Sequence, residues 1–403
     1  MSSPGFQLPD DQSRTLPSSD VQQTPMPTGG EVPPATPPGW HPEAEVPPRS
    51  IRHVPRWPHP NFGWSFLWCI FFLLLTEIPG GIIALIIAVV LIAIAPDQYR
   101  TLQDSPKDLM KSPALNLATA IGLFIAKSLG ILFSLLVIRL VVGRDWARQL
   151  AVRKPSVSHT LLALASFPSL VLLGNAAYAI LRDVLHFPSL ADLGMPGMEE
   201  AVKMFSTWPW AFAVLVIGVG PGIGEELWCR GFLGRGLVGN YGIVLGVLAT
   251  SFFFGLIHLD PCQGTMAMIM GFWLHFVYLT TRSLWLPMLL HFLNNSLAVL
   301  VTRAPSLEVI EAEPGDIPVY VYLAALLLLA GAAYALYQSR ARLRSQSPDQ
   351  LYLWRPAYEG VEYPPPHVGM YVAHPRPSLA ASAAAAGGFV LFVLACLAWV
   401  MRS

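Results

Sequence analysis

The sequence predicts an all-α protein: a polytopic bundle of about nine membrane-spanning helices with its chemistry inside the membrane. Three observations carry this. Only 12% of the 403 residues are charged while 54% are hydrophobic, and the mean hydropathy is +0.51, which marks a membrane protein with soluble flanks rather than a globular enzyme. Apolar runs of spanning length recur along the chain. Ionisable residues interrupt a few of those runs, where each costs roughly 3 kcal/mol near the bilayer centre. The formal net charge is zero, so nothing argues for nucleic acid, and the lipid bilayer is the expected partner.

Residues 1–60 are rich in Pro, Ser, Gln and Thr without a periodic apolar pattern, and read as a disordered Pro-rich cytoplasmic tail. No cleavable signal peptide is visible there. The first apolar run, Phe62 to Ala95, exceeds one straight crossing of a ~30 Å core. Pro79-Gly80-Gly81 divides it, so a kinked, tilted helix is expected first and a re-entrant hairpin second. Glu77, just before the break, either faces an interior site or caps a polar pocket.

The further spans are expected near 114–141, 159–181, 208–228, 241–258, 264–281, 284–301, 318–337 and 384–401. Within this series, residues 61–200 form the N-terminal helices, 201–303 a candidate catalytic core, 304–337 a further helix and 384–403 a terminal anchor. Arginines follow the even-numbered spans (Arg144, Arg148 and Arg153; Arg235; Arg282; Arg340, Arg342 and Arg344), whereas Glu308, Glu311, Glu313 and Asp316 follow the seventh. The positive-inside rule then places the N-terminus in the cytoplasm, together with the Pro/Tyr-rich loop 338–383.

Three polar constellations sit in these spans. The first is Gly224-Glu225-Glu226-Leu227-Trp228-Cys229-Arg230. Glu226 and Arg230 are an i,i+4 pair that can neutralise one another, while Glu225 points about 100° away. The second is Phe254 with His258; the third is His291 with Asn295, one turn apart on one face, with Asn294 on another. Each has a bland reading: a juxtamembrane capping cluster, a packing histidine, and polar glue between helices. Together, Glu225, His258, His291 and Asn295 are parts that hydrolysis needs. A carboxylate in a low-dielectric pocket serves as a general base, an imidazole shares the proton work or orients water, and a paired His and Asn donate to an oxyanion. Glu225, His258 and His291 are also a donor set that zinc accepts, although there is no HExxH and the histidines are far apart in sequence. His275 reads as a lining or structural residue. Asp260 reads as a solvated loop residue or an orienter of His258. The four cysteines lack CxxC spacing and predict neither disulfides nor a cysteine zinc site.

At these residues the chain resembles the CPBP family of intramembrane proteases, also called the CAAX-protease or Abi family, whose motifs are EExxxR, FxxxH and HxxxN. Here they are Glu225-Glu226…Arg230, Phe254…His258 and His291…Asn295, in order. Arg230-Gly231 and Ser283-Leu284-Trp285-Leu286-Pro287 add to the likeness, which covers about residues 205–303. The resemblance implies a multi-pass protein of the bacterial plasma membrane with a cavity inside the bilayer. It implies that Glu225 and His258 activate water, that His291 and Asn295 hold the oxyanion, and that Glu226 and Arg230 shape the site. The implied partner is a peptide or protein substrate, lipidated or leader-bearing. Zinc and glutamate-activated water both stay open as mechanisms. A non-proteolytic scaffold or immunity-type protein on the same fold is the alternative. Cys229, at a position often aromatic, and His275, at one commonly small, depart from the family pattern.

Overall fold

The structure is a computed structural model that describes residues 44–45, 60–95, 112–144, 146–193, 198–301, 303, 315–345 and 370–402. The chain divides into Met1–Pro42, which lies outside the described residues, and Glu43–Ser403. The expected disordered tail is therefore almost wholly outside the described residues.

In chain order the helices are α1 (Phe62–Ile94), α2 (Pro113–Val141), the short α3 (Trp146–Gln149), α4 (Val157–Ala179), α5 (Met198–Ser206), α6 (Trp210–Leu256), α7 (Pro261–Thr281), α8 (Trp285–Val301), α9 (Val319–Gln338) and α10 (Leu379–Val400). A small antiparallel sheet joins β1 (Ala44–Glu45), β2 (Arg342–Ser345) and β3 (Met370–Ala373) in that order, pairing Ala44 with Ser345 and Arg342 with Ala373. Residues 338–383 are thus more than a loop, and the last helix starts at Leu379 rather than near 384.

Six helices among the described residues are long and apolar enough to cross a membrane by length and composition: α1, α2, α4 (which runs on through a π-turn to Val184), α6, α9 and α10. The count of nine is not confirmed. The difference lies in the middle of the chain, where the expected spans 208–228 and 241–258 are two arms of α6. They are separated at Gly242, whose φ of 76° only glycine adopts without strain. A Cβ on Gly246 would lie 2.4 Å from the Val238 Cα, so the arms fold back tightly. α8 is a shorter apolar helix, and α7, over the expected span 264–281, is not among the six.

α1 is one continuous helix through Pro79, so the re-entrant alternative does not hold. Its bare surface at Gly80 meets Gly122 of α2: a Cβ on either glycine would come 2.6 Å from the other's carbonyl oxygen. Small residues allow such backbone approach where lipid supplies no hydrophobic drive between helices.

Hydrogen bonds tie the helix ends into two layers. In one, Arg235 Nη2 donates to Gln149 Oε1 (2.6 Å), Leu284 N to Ala151 O (3.0 Å), Ala341 N to Thr280 O (2.7 Å) and Asn240 Nδ2 to Pro60 O (3.0 Å). This layer collects Arg148, Arg153, Arg235, Arg282, Arg340 and Arg342. In the other, Asn116 Nδ2 donates to Thr207 Oγ1 (2.5 Å) and Arg303 Nη2 to Phe205 O (3.1 Å).

Candidate active site

The first arm of α6 is wedged between α2 and α8 by alternating glycines. A Cβ on Gly218 would come 2.3 Å from Ser296 Oγ, and one on Gly222 would lie 3.2 Å from the Phe292 Cα, both on α8. On Gly220 it would lie 2.7 Å from the Lys127 Cβ, and on Gly224 3.3 Å from the Ile131 N, both on α2. Two i,i+4 pairs of bare positions thus bring two helices against one, and the carboxylates that follow inherit the two directions.

Glu226 faces α8. Its Oε1 accepts from Arg230 Nη1 at 2.6 Å and from His291 Nδ1 at 2.9 Å, and both Glu226 and Arg230 are completely buried. Arg230 also donates Nη2 to the Gly271 carbonyl of α7 at 3.1 Å, and its guanidinium lies 4.2 Å over the Phe254 ring. The expected i,i+4 pair forms even though the backbone from Leu227 to Leu233 is π-helical. A carboxylate in an ion pair only accepts, so His291 Nδ1 carries a hydrogen and Nε2 is the ring atom left for other partners.

Phe254 joins the three motifs. Its ring meets His258 edge-on at 5.1 Å and His291 at 5.5 Å, besides lying under Arg230. His258 Nδ1 bonds the Phe254 carbonyl at 2.8 Å. A carbonyl oxygen also only accepts, which fixes the proton on Nδ1 and makes Nε2 of a neutral His258 an acceptor. Asn295 shares the His291 face, as its spacing requires, and donates Nδ2 to the Ile217 carbonyl at 3.1 Å; Asn294 in turn donates to Asn295 Oδ1. One amide hydrogen of Asn295 is therefore engaged in holding α8 to α6.

Glu225 faces α2 instead. Lys127 Nζ lies 3.7 Å from its Oε1 and 3.0 Å from Glu77 Oε1 on α1. Glu225 Oε2 has no hydrogen-bond partner among the described residues. The residue Glu225 borders a cleft of about 10 Å³ lined by Phe72, Glu77, Lys127, Gly220 and Gly224, among others, a volume close to the minimum for one water. Sequence reasoning passed over Lys127; the signal was an ionisable residue in the middle of the apolar run of α2, whose other charge, Arg139, falls in the last turn, since a mid-span charge is a functional candidate by default inside a membrane. It also underrated Glu77, which reaches the same cleft.

Farther along the α6 arm, the side that meets α1 and α2 is sealed by aromatics. Phe72 stacks on Trp228 at 5.0 Å, and Phe133, Phe232 and Trp68 pack around it. Cys229 is buried in this core, and His275 is buried on α7 beside Gly234. Asp260 is not a solvated loop residue. It is buried, caps α7 by accepting from Gln263 N at 2.7 Å, and accepts from Leu190 N at 2.8 Å. The cap uses its side-chain oxygens on backbone donors, which is what a helix start requires.

Glu225, His258 and His291 do not form a ready zinc cage. No group of three His, Cys, Asp or Glu side chains among the described residues is disposed to hold a metal, because Glu225 is turned toward Lys127 while His291 is turned onto Glu226.

The class defined by fold and site is a multi-pass helical membrane protein whose conjoined acidic, basic and imidazole groups are buried among its helices. Residues 207–297 match the family model of the type II CAAX prenyl endopeptidase Rce1-like proteins. Over that segment the chain is similar to this protease family, in keeping with the CPBP likeness of its three motifs. No curated protein and no solved structure matches the chain.

Proposed function

We propose that the protein is an intramembrane endopeptidase that hydrolyses peptide bonds of membrane-associated substrates, lipidated or leader-bearing, and that it is oriented with the arginine-rich layer toward the cytoplasm. The observation that carries the reading is the division of labour between adjacent carboxylates. Glu226 is tied through Oε1 to Arg230 and His291; Oε2 of each carboxylate has no hydrogen-bond partner among the described residues, but of the two only Glu225 borders a cleft of water size.

In this reading the attacking water donates one hydrogen to Glu225 and the other to His258 Nε2. Glu225 takes the proton as the water oxygen bonds to the substrate carbonyl carbon. The carbonyl electrons move to the oxygen, which the second Asn295 amide hydrogen and the protonated His291 Nε2–H receive; such donors contribute about 2.7–4 kcal/mol each where removal has been measured. Collapse breaks the C–N bond, and Glu225 returns its proton to the leaving amine. Glu226 and Arg230 hold His291 and Phe254 in place. Support for the class comes from the family match over 207–297.

The test compares protein termini in native membranes carrying wild type or Glu225→Gln at equal abundance. Termini generated by wild type alone are expected, and their flanking sequences identify the substrates. Equal cleavage by Glu225→Gln removes the assignment.

A further inference from the structure

Beyond the residues of the three motifs, we infer that Lys127, braced by Glu77, is a positioning residue for Glu225. The inference rests on the endopeptidase reading. Three observations on three helices carry it. Lys127 reaches Glu77 at 3.0 Å and Glu225 at 3.7 Å with one ammonium group, so a single cation spans two acids from different helices. The side chains become less exposed along this row, 35% for Glu77, 25% for Lys127 and 12% for Glu225, which leads from the rim of the cleft to the carboxylate. Finally, the backbone is built for the contact: the Gly80–Gly122 approach mates α1 to α2 beside Glu77 and Lys127, and Gly220 leaves room for the lysine stem where a Cβ would lie 2.7 Å from its own.

The physical role follows from the geometry. Lys127 approaches Oε1 of Glu225, while Oε2 is buried without a hydrogen-bond partner among the described residues. Its closer partner is Glu77, and that contact holds the ammonium 3.7 Å from Glu225, outside a close ion pair. A carboxylate oriented in this way keeps its free oxygen for water. One collapsed onto the lysine would have to break a strong charge-assisted hydrogen bond first. The other charged or titratable groups acting on Glu225 are His258, His291 from α8 and Arg230 from its own helix. Of these, Arg230 and His291 are already committed to Glu226 and His258 to the Phe254 carbonyl. Lys127, held by Glu77, is the cation whose ion pair reaches Glu225 itself.

The experiment measures kcat and KM of purified full-length protein in bilayer nanodiscs on an internally quenched, prenylated peptide ending in a CAAX box. Lys127→Met is expected to lower kcat at least about tenfold with KM within about threefold, the pattern of an interaction made in the transition state. Lys127→Arg, which restores a cation reaching both acids, is expected to recover kcat to within about threefold. Because Lys127→Met leaves two acids uncompensated, the double variant Glu77→Gln/Lys127→Met is measured as well. It removes the charge imbalance and is expected to keep the kcat loss at wild-type abundance. Wild-type kcat in the double variant, a loss confined to KM, or an Arg variant as impaired as Met would each overturn the inference. Glu225→Gln runs alongside: full activity in that variant, or a wild type that leaves the peptide intact, refutes the reading beneath it, whereas an inactive Glu225→Gln with an unaffected Lys127→Met refutes the positioning role alone.

Discussion

Replacing Arg230 with methionine tests whether the buried cluster is held together as described. The guanidinium is fully buried and makes three contacts: Glu226 at 2.6 Å, the Gly271 carbonyl at 3.1 Å and the Phe254 face at 4.2 Å. Methionine fills much of the same volume, so packing is largely conserved. What changes is electrostatic. Glu226 is left as a buried anion whose remaining partner is His291, and breaking one side of a buried pair costs about 3–5 kcal/mol. The lost charged hydrogen bond to Gly271 belongs within that range rather than on top of it, because contacts in one network are not additive. Lysine restores the charge but not the fork that reaches Glu226 and Gly271 together, so Arg230→Lys is expected between methionine and wild type. Adding Glu226→Gln to Arg230→Met removes the stranded charge and is expected to return about 1–3 kcal/mol as a coupling energy. The assay is thermal unfolding in mild detergent, followed by tryptophan fluorescence with retention of monodispersity. A midpoint for Arg230→Met equal to wild type, or a double variant whose loss is the plain sum of the singles, would refute the account.

Three further outcomes are expected. Gly222→Val places branched atoms where even a Cβ is 3.2 Å from the Phe292 backbone; overpacking of this kind costs about 1–3 kcal/mol, and lower abundance with reduced trypsin resistance should report it. Asp260→Ala removes a helix cap and the tie to Leu190, with an expected loss of about 1–2 kcal/mol that Asp260→Asn partly restores in the same unfolding assay. Burial, helped by the charge of Arg153, pushes His374 down to about 4, below the ordinary imidazole value of about 6.5. The unfolded chain then binds the proton first, so the stabilising contribution is present above about 6.5 and is lost as pH falls toward 4. His374→Gln should flatten that part of the pH–stability curve, and an unchanged acid slope would show that other groups set it.

The class of fold was legible from composition alone, since long apolar runs in lipid must be helical to satisfy their own backbone. The Glu226–Arg230 pair and the common face of His291 and Asn295 followed from helical periodicity, a local property. The tight turn at Gly242 was less legible. The sequence around it, Val238-Gly239-Asn240-Tyr241-Gly242, breaks hydropathy only weakly, and the positive φ that divides α6 is visible only in the backbone. Asp260 was misjudged for a related reason: following His258 at the end of an apolar run suggested a surface, while the segment at Leu190 folds over it and buries it.

The sequence by itself determined that acids, histidines and an arginine lie within helices, because residue type and spacing are properties of the chain. Only the tertiary structure decided their partners. Glu225 and Glu226 are neighbours with the same chemistry, yet one meets Lys127 of α2 and the other His291 of α8. That choice depends on which helices the Gly218/Gly222 and Gly220/Gly224 surfaces admit to close approach. Close packing between helices distant in sequence therefore turned two equivalent carboxylates into one held by an arginine and a histidine and one that meets a lysine beside the cleft.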